Sequence, residues 1–400
     1  MKLPDKLVIW VVVFCLWMAG AFSAGPWMGD LHAQGLSEED LAKLKKEQQT
    51  ATQAELKNNF DKDFLTKDTI SPSTTGFIDR LDIPATLSPL AAKNVLNGIA
   101  SAGQRVVAVG IRGHIVYSDD GGKSWSQARV PVSVDLTAVF FPTPKRGWAV
   151  GHDGVVLHSA DGGATWTKNL DGYGACRIMH SHYQKHPVSG KLQSNIQFMI
   201  EQGPVNPFLD VWFESESTGF IVGAFNLIFR TEDGGKSWEP WFDRTDNPGG
   251  LHLYAIRSVG RNIYISGEQG LLLKFDSREK RFKAQKTPYH GTFFGILGRD
   301  DALIAFGMRG NIYRSTNGGV SWGKINTPVP SALLGGAISP DGSIILVSQG
   351  GNVIVSKDGG KSFVEIKQET NMSIPAHAMV AVNNTLIIAG WGGVKLQKLQ

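Results

Sequence analysis

Three histidines in one stretch of the chain come nearest to the spacing of a metal site. They are His180, His182 and His186, which lie within residues 171–205. A His-x-His pair is common among zinc and copper ligands. However, no Asp or Glu lies nearby to complete the set, and positions i, i+2 and i+6 do not share one face of a helix. We therefore predict no metal here, and we interpret the stretch as a cap or a contact surface.

A repeated acidic turn is the second candidate for chemistry. The string Ser-Asp-Asp-Gly-Gly-Lys-Ser-Trp at residues 118–125 recurs with small changes at 159–166, 231–238, 315–322 and 356–363. Its third position holds Asp120, Asp161, Asp233, Asn317 and Asp358. A carboxylate could serve acid catalysis or bind calcium, but five near-identical copies favour a structural role. The Asp can accept hydrogen bonds from nearby amides, and the glycines permit positive φ. We predict structural clamps.

Glycoside hydrolysis would require two suitably spaced carboxylates, or a nucleophilic Tyr with an arginine cluster. Asp153, Asp210 and Glu268 are candidates, but no sequence spacing ties them together. No phosphate-binding loop, nucleophile elbow or dinucleotide fingerprint stands in a suitable strand–helix context. The sequence therefore predicts a protein without catalysis or cofactor, and a hydrolase remains the alternative.

The composition restricts the classes of partner and of fold that the chain can have. The chain has 400 residues, with 40 basic and 36 acidic side chains, so its net charge is too small for a nucleic-acid binder. Gly is abundant at 47 residues, and only two cysteines occur, Cys15 and Cys176. Many short strands joined by tight turns fit the glycine content, and one thiol outside the apolar N-terminal run excludes an internal disulfide.

The N-terminus has the pattern of an export signal. Lys2 and Lys6 precede an apolar run that continues to residue 28, and the next charge is Asp30. We interpret residues 1–33 as a signal peptide or a retained membrane anchor, with residues 7–28 close to the membrane. Either places the rest of the chain outside the cytoplasm, in a bacterial periplasm. Residues 34–76 are predicted to form a helical segment, capped by Ser37, and a linker.

The turns recur with start-to-start spacings of 41, 72, 84 and 41 residues. The spacing of 84 spans a degenerate copy at 275–282, and the spacing of 72 includes the insert. A pair of short apolar strands precedes each turn, and a seventh pair at 386–397 ends the chain without one. Four strands in about 42 residues is the size of a propeller blade. The fold class is therefore predicted to be all-β, with residues 77–400 forming a seven-bladed β-propeller.

This count of repeats leaves the seventh blade without an outer strand. Residues 78–84 have the spacing of the outer strand at 125–131, so we expect them to complete the last blade and close the ring.

The turns between second and third strands should gather on the face opposite the acidic turns. Two arginines, two acids, a Trp and several amides fall there and could grip a peptide or an anionic group. The predicted binding rim consists of Arg112, His114, His152, Asp153, Phe225, Asn226, Glu268, Gln269, Arg309, Gln349 and Trp391.

The repeat Ser-x-Asp-x-Gly-x-Thr/Ser-Trp resembles the Asp-box, or BNR, repeat of sialidases, sortilin-like receptors and some xyloglucan hydrolases. Residues 147–166, Gly-Trp-Ala-Val-Gly followed by an Asp-box, are most similar to the photosystem II stability and assembly factor family. Residues 203–212 and 246–253 resemble a bacterial branch of that family associated with RND-type exporters. The resemblance implies an assembly or accessory factor for a membrane protein complex, with an RND-family exporter as the partner. An Asp-box glycoside hydrolase and a soluble carbohydrate- or peptide-binding module remain the alternatives.

Overall fold

The computed structural model describes residues 78–299, 302–366 and 375–399. Over this part of the chain the strands form seven antiparallel sheets, six with four strands and one with three. Within each sheet the strands follow one another in chain order, and the first strand of each blade packs against the first strand of the next. The predicted seven-bladed propeller is confirmed.

The first three blades contain twelve strands. Blade 1 is β1 (Leu96–Ala102), β2 (Arg105–Gly110), β3 (Ile115–Ser118) and β4 (Ser126–Gln127). Blade 2 is β5 (Leu136–Phe140), β6 (Gly147–Gly151), β7 (Val156–Ser159) and β8 (Thr167–Leu170). Blade 3 is β9 (Phe208–Phe213), β10 (Gly219–Gly223), β11 (Ile228–Thr231) and β12 (Glu239–Pro240).

The remaining four blades contain fifteen strands. Blade 4 is β13 (Leu253–Val259), β14 (Asn262–Gly267), β15 (Leu272–Asp276) and β16 (Arg281–Ala284). Blade 5 is β17 (Phe293–Arg299), β18 (Ala302–Gly307), β19 (Ile312–Ser315) and β20 (Gly323–Ile325). Blade 6 is β21 (Leu333–Ile338), β22 (Ile344–Ser348), β23 (Val353–Ser356) and β24 (Val364–Glu365). Blade 7 is β25 (Ala376–Val382), β26 (Thr385–Gly390) and β27 (Gly393–Lys398).

The core lies between the blades. Second strands are almost wholly apolar, because a strand sandwiched between neighbouring blades is buried on both faces. In β2, Val107 and Val109 pack in the cluster shared with blade 2, whereas Val106 and Ala108 pack in the cluster shared with blade 7. Alternate residues of one strand therefore join two different neighbours.

Each Asp-box turn is held by its own side chains. In blade 1, the Ser118 hydroxyl donates to Asp120 Oδ1 (2.8 Å) and accepts from the Gly122 N–H (2.8 Å). The N–H and hydroxyl of Ser124 donate to the two Asp120 carboxylate oxygens. Asp161, Asp233, Asn317 and Asp358 occupy equivalent turns. This geometry is the predicted clamp.

The prediction that residues 78–84 complete blade 7 is wrong. This segment lies over blades 1 and 2: the Ser133 N–H donates to Arg80 O (2.9 Å), and Leu81 is buried in the core between these blades. Burial of Leu81 and the ion pair between Lys168 and Asp82 (3.0 Å) explain this placement. The ring closes instead by packing of β25 on β1, where His377 Nδ1 lies 3.2 Å from Leu96 O.

The insert after blade 2 forms a helical hairpin of α1 (Gly172–Lys185) and α2 (Gly190–Gln202). The Asp171 carboxylate caps α1 by accepting from the Gly174 N–H (3.0 Å). Tyr183 anchors the hairpin to blade 3 by donating from its hydroxyl to Asp243 (2.9 Å). Across the described ranges, no helix has the length and apolar character that a membrane span requires. The predicted signal or anchor, residues 1–33, and the predicted segment 34–76 lie outside the described residues.

Candidate functional site

The propeller has two unlike faces. We call the face with the turns between second and third strands the tip face, and the opposite face, with the Asp-box turns, the Asp-box face. The insert, which connects blades 2 and 3, also belongs to the tip face: α1 contacts the tip of blade 2 at residues 152–154.

Five tips share a strained backbone. Blades 1 to 5 each connect their second and third strands by one 3-10 turn of three residues. The middle residue of each turn has φ between 52° and 56°, a region that non-glycine residues rarely occupy. These middle residues are Arg112, Asp153, Phe225, Gln269 and Arg309. The same unusual conformation therefore recurs around the face, and all but Asp153 expose their side chains.

The third residue of each turn packs closely against another loop. It is Gly in four tips, and a Cβ at Gly310 would lie 1.9 Å from Val329 O. Blade 3 has Asn226 instead, which is buried and donates from its side-chain amide to Thr245 Oγ1 (2.9 Å). Asn226 therefore supports the tip from below and is not part of the exposed rim.

The tips of blades 3 and 4 are linked by a polar network. The Asn247 amide donates to Asn226 Oδ1 (2.9 Å) and to Leu251 O (2.8 Å). Next to it, Glu268 accepts from the His252 N–H (2.8 Å), and its carboxylate also lies 3.3 Å from His252 Nδ1. The network fixes the base of the tip whose exposed residue is Phe225.

Phe225 stacks edge-on against the His252 ring, with ring centroids 4.5 Å apart. Its side chain nevertheless remains 39% exposed. A large apolar side chain held on a rigid base, yet open to solvent, has the properties of an interface anchor.

The predicted rim residues of blades 1 and 2 divide into exposed and internal groups. Arg112 is exposed, whereas His114 is buried, and burial lowers its pKa. Burial also lowers the pKa of half-buried His152. Asp153 forms an ion pair with Arg80 (3.0 Å), although burial raises the pKa of its carboxyl.

On the remaining blades the predicted residues are at the surface. Gln269, Arg309 and Gln349 are exposed, and Trp391 is 62% exposed. The backbone N–H groups of Gln349 and Trp391 each donate to a neighbouring loop, so these two tips are anchored through their main chain. The tip face therefore presents two arginines, two amides and two aromatic rings.

A ring of residues on the innermost strands was not predicted from the sequence. In every blade the pairing between first and second strands shifts by one residue near the start of the first strand. A β-bulge of this kind re-aims the extra side chain. The seven bulged residues are all half-buried: Asn97, Thr137, Leu209, Tyr254, Phe294, Leu334 and His377.

This inner ring has a polar and an apolar sector. Asn97, Thr137 and His377, on blades 1, 2 and 7 respectively, each reach a carbonyl at the start of the next blade's first strand, at distances between 2.7 and 3.2 Å. Blades 3 to 6 carry Leu or aromatic residues instead, and Tyr254 contacts Phe294 with ring centroids 5.2 Å apart. The sequence contains a signal for this ring: in each blade the bulged residue directly follows the apolar residue that begins the inner strand.

The three histidines of the insert do not converge. The tilted rings of His182 and His186 contact each other with centroids 4.8 Å apart, whereas His180 Nε2 lies 2.9 Å from the Gln184 amide nitrogen. No cluster of three metal-binding side chains occurs in the part of the chain that the structure describes. Cys176 is buried in α1, and burial raises its pKa to about 12, which leaves the thiol unreactive at neutral pH.

The three carboxylates considered for hydrolysis have separate partners. Asp153 pairs with Arg80, Glu268 with His252, and buried Asp210 with Arg257 and the Ile256 N–H. They belong to blades 2, 4 and 3, and no hydrogen bond links any two of them among the described residues.

The curated relatives of this chain are assembly factors. The photosystem II assembly lipoprotein Ycf48 of Synechococcus sp. (strain CC9902) is 31% identical over 147 residues, which are 36% of this chain and 44% of the relative. The chloroplastic photosystem II stability/assembly factor HCF136 of Arabidopsis thaliana is 32% identical over 68 residues, which are 17% and 16% of the two chains. The chain thus aligns with less than half the length of these relatives.

Solved structures share the fold. A structure described as YCF48 bound to D1 peptide has a TM-score of 0.57 at 16% identity, and the match covers 77% of this chain and 94% of that one. YCF48 from Cyanidioschyzon merolae has a TM-score of 0.57 at 17% identity, with 79% and 98% covered.

The family model described as photosynthesis system II assembly factor YCF48 matches residues 90–172 and 194–373, well over half of the chain. The chain therefore belongs to the YCF48 family of photosystem II assembly factors.

Proposed function

We propose that this protein is a non-catalytic assembly or accessory factor that binds a membrane protein complex through its tip face. Membership of the family supports the role, since its named relatives are assembly factors and one was solved with a peptide of D1. The observation that carries the proposal is the repeated tip geometry. Five blades hold their middle tip residue at positive φ on one face, a cost of about 1 kcal/mol each that a fold without use for it would lose.

The composition of the tip face fits a protein partner. Trp, Phe and Arg are enriched at the centres of protein interfaces, and the exposed tips supply Phe225, Trp391, Arg112 and Arg309. Arginine also recognises carboxylates by paired hydrogen bonds, so acidic side chains on the partner would complement these tips.

We further propose an RND-family exporter as the complex. The two stretches that resemble the exporter-associated branch, residues 203–212 and 246–253, lie near each other around blades 3 and 4. Asn247 of the second stretch supports the Phe225 tip through Asn226, and Asp210 of the first accepts from the Ile256 N–H (2.8 Å) in blade 4. Asn247 thus supports one tip, and Asp210 joins blade 3 to blade 4 beside it in the chain order, which supports a shared surface within that branch.

The proposed location is the bacterial periplasm, either free after signal cleavage or anchored in the inner membrane by residues 1–33. The basic residues and the apolar run of this segment support export. Location on the same side as the periplasmic part of an exporter would give the tip face access to it.

Cross-linking in intact cells followed by mass spectrometry tests the proposal. The test variant combines Arg112→Glu, Phe225→Ala and Arg309→Glu on the tip face. Its matched control combines Lys236→Glu and Lys361→Glu, which reverse two exposed charges on the Asp-box face. We expect an exporter cross-linked to the wild type and the control but at least tenfold depleted with the tip variant.

Equal cross-linking of both variants would refute the tip face as the site. A partner complex of another class would retain the assembly role and reject the exporter. Recovery of no membrane protein, from cells in which the protein is folded and exported, would reject the role itself.

A further inference from the structure

The outer edge of blade 7 differs from every other blade. Six blades end in a fourth strand, whereas blade 7 ends at β27 among the described residues. β27 has six residues, and the third strands of blades 1, 2, 3, 5 and 6 have four. β27 is therefore longer than most third strands, and no strand among the described residues pairs with its outer edge.

The other blades show what a fourth strand contributes. The carbonyl of Ile115 in β3 accepts from the Ala128 N–H of blade 1 (2.9 Å). Equivalent bonds of 2.8 to 3.0 Å reach the carbonyls of Ile228, Leu272 and Val353. The matching residue in blade 7 is Val394, because Val394 pairs with Ala389 as Ile115 pairs with Val109.

Alternation along β27 identifies the outward backbone groups. The Leu399 N–H donates inward to Asn384 O (2.9 Å). Since neighbouring residues of an antiparallel strand direct their N–H and C=O groups to opposite sides, those of Val394, Leu396 and Lys398 point away from β26. These three residues present the hydrogen-bonding groups that a fourth strand would use.

A buried amide gives an independent indication. Gln397 pairs with Leu386 as Ser118 pairs with Val106, so it occupies the position of the Asp-box Ser or Thr. In the five blades that have an Asp-box, that hydroxyl bonds to the turn leading into the fourth strand. Gln397 is only 7% exposed, and its side-chain oxygen and nitrogen both lack a hydrogen-bond partner. A buried amide without hydrogen-bond partners destabilises the fold, and an added strand with its turn would supply those partners.

We propose that the outer edge of blade 7 binds an extended, acidic segment of another protein as its fourth strand. The segment would pair with β27 by β-augmentation, in which main-chain hydrogen bonds supply affinity and alternate side chains supply specificity. β27 contains the exposed Lys398 and no carboxylate, so an acidic strand complements it. Leu396, 42% exposed beside Gly122 of blade 1, would meet an apolar side chain.

Two other occupants fit less well. A second copy of β27 would offer no carboxylate to Lys398. Residues 78–84, the nearest described part of the chain's own N-terminus, are held over blades 1 and 2 by Leu81 and the Lys168–Asp82 ion pair. This edge is also separate from the tip face, so the inference does not depend on the proposed function.

The test uses random 12-residue peptides displayed on phage, selected against the immobilised full-length protein. We expect the selected peptides to be acidic, with β-branched or aromatic residues at alternate positions. Leu396→Pro removes one outward N–H, which an edge strand tolerates, and should weaken binding at least about tenfold. Leu396→Ala keeps that N–H and is the matched control, with a smaller loss. Thermal unfolding confirms that both variants are folded.

Amide hydrogen exchange on the wild type provides a readout that does not depend on a variant. The amides of Val394, Leu396 and Lys398 should exchange rapidly in the free protein and become protected when a selected peptide binds. Protection of these amides in the free protein would show that its own chain or a second copy already covers the edge. That result, selection of no peptide, or equal binding to Leu396→Pro and Leu396→Ala would overturn the proposal.

Discussion

The two faces of this propeller are built from turns that treat their side chains in opposite ways. On the Asp-box face, the repeated side chains bond within the turn: both Asp161 oxygens accept hydrogen bonds from Ser159 or Thr165. On the tip face, the backbone holds the turn, as when the His114 N–H donates to Ile111 O (3.1 Å). The middle side chain of the tip, Arg112 in this blade, is not needed for its own turn.

The difference separates architecture from recognition. Side chains that bond within their own turn cannot change identity without loss of stability, which is why the Asp-box reads almost identically in five blades. A turn closed by its main chain permits any side chain at its middle position, and blades 1 to 5 carry four different residue types there. Variation on one scaffold is what a binding face requires.

We expect the greatest loss of stability from a substitution inside an Asp-box turn. Ser159 is buried, donates to Asp161 Oδ1 (2.9 Å) and accepts from the Gly163 N–H (2.8 Å). Ser159→Ala leaves both partners without this bond, so we expect the free energy of unfolding to fall by about 2 kcal/mol. Chemical denaturation measures it.

Arg309→Ala on the tip face is the matched control for Ser159→Ala. Arg309 is exposed, and its substitution should change the free energy of unfolding by less than about 0.5 kcal/mol. Comparable losses in the two variants would remove the distinction between the faces.

Acid should weaken the Asp-box face selectively. Hydrogen bonds from Ser124 and Ser118 hold the pKa of Asp120 well below its usual 3.8, and those from Ser362 and Ser356 do the same for Asp358. A carboxyl whose pKa is lower in the folded state contributes stability above its unfolded pKa, which is lost as the pH falls through its folded pKa. We expect stability to be constant near neutral pH and to decline below about pH 4.

Blade 5 supplies the variant that tests this pH dependence, because its box has Asn317 in place of Asp. Asn317 donates from its amide to Ser321 Oγ (2.8 Å), so it carries no titrating group. Asn317→Asp should steepen the loss of stability below about pH 4. Asp358→Asn should make it shallower. Identical acid-unfolding curves for the wild type and both variants would show that the boxes do not control acid stability.

The repeat predicted the number and order of the blades because each copy encodes its own hairpin, turn and buried positions. The way in which the ring of blades closes does not follow from the repeat. Residues 78–84 have the spacing of an outer strand, but burial of Leu81 between blades 1 and 2 decided where they lie. Competition between two docking sites is a tertiary effect that spacing cannot resolve.

The sequence predicted where the tip face lies, but it predicted only some of the side chains that are exposed on it. Turn spacing located Arg112 and Phe225 correctly at the surface. It could not distinguish them from His114 and Asn226, which lie one or two residues further along and are buried. The positive φ of the middle residue decides which side chain faces solvent, and non-glycine residues in that conformation leave no reliable mark in the sequence.

We expect only a small change in stability from a substitution at an exposed tip. Gln269 is exposed with φ 52°, a conformation that glycine adopts without steric cost. Gln269→Gly relieves that cost but adds freedom to the unfolded chain, so we expect a change in the free energy of unfolding between zero and a gain of about 1 kcal/mol. Ser126→Gly, in exposed β4 without positive φ, should lose roughly 0.5–1 kcal/mol. If the two glycine variants lose stability equally in chemical denaturation, the tips store no strain, and the argument that they are maintained for binding loses its physical basis.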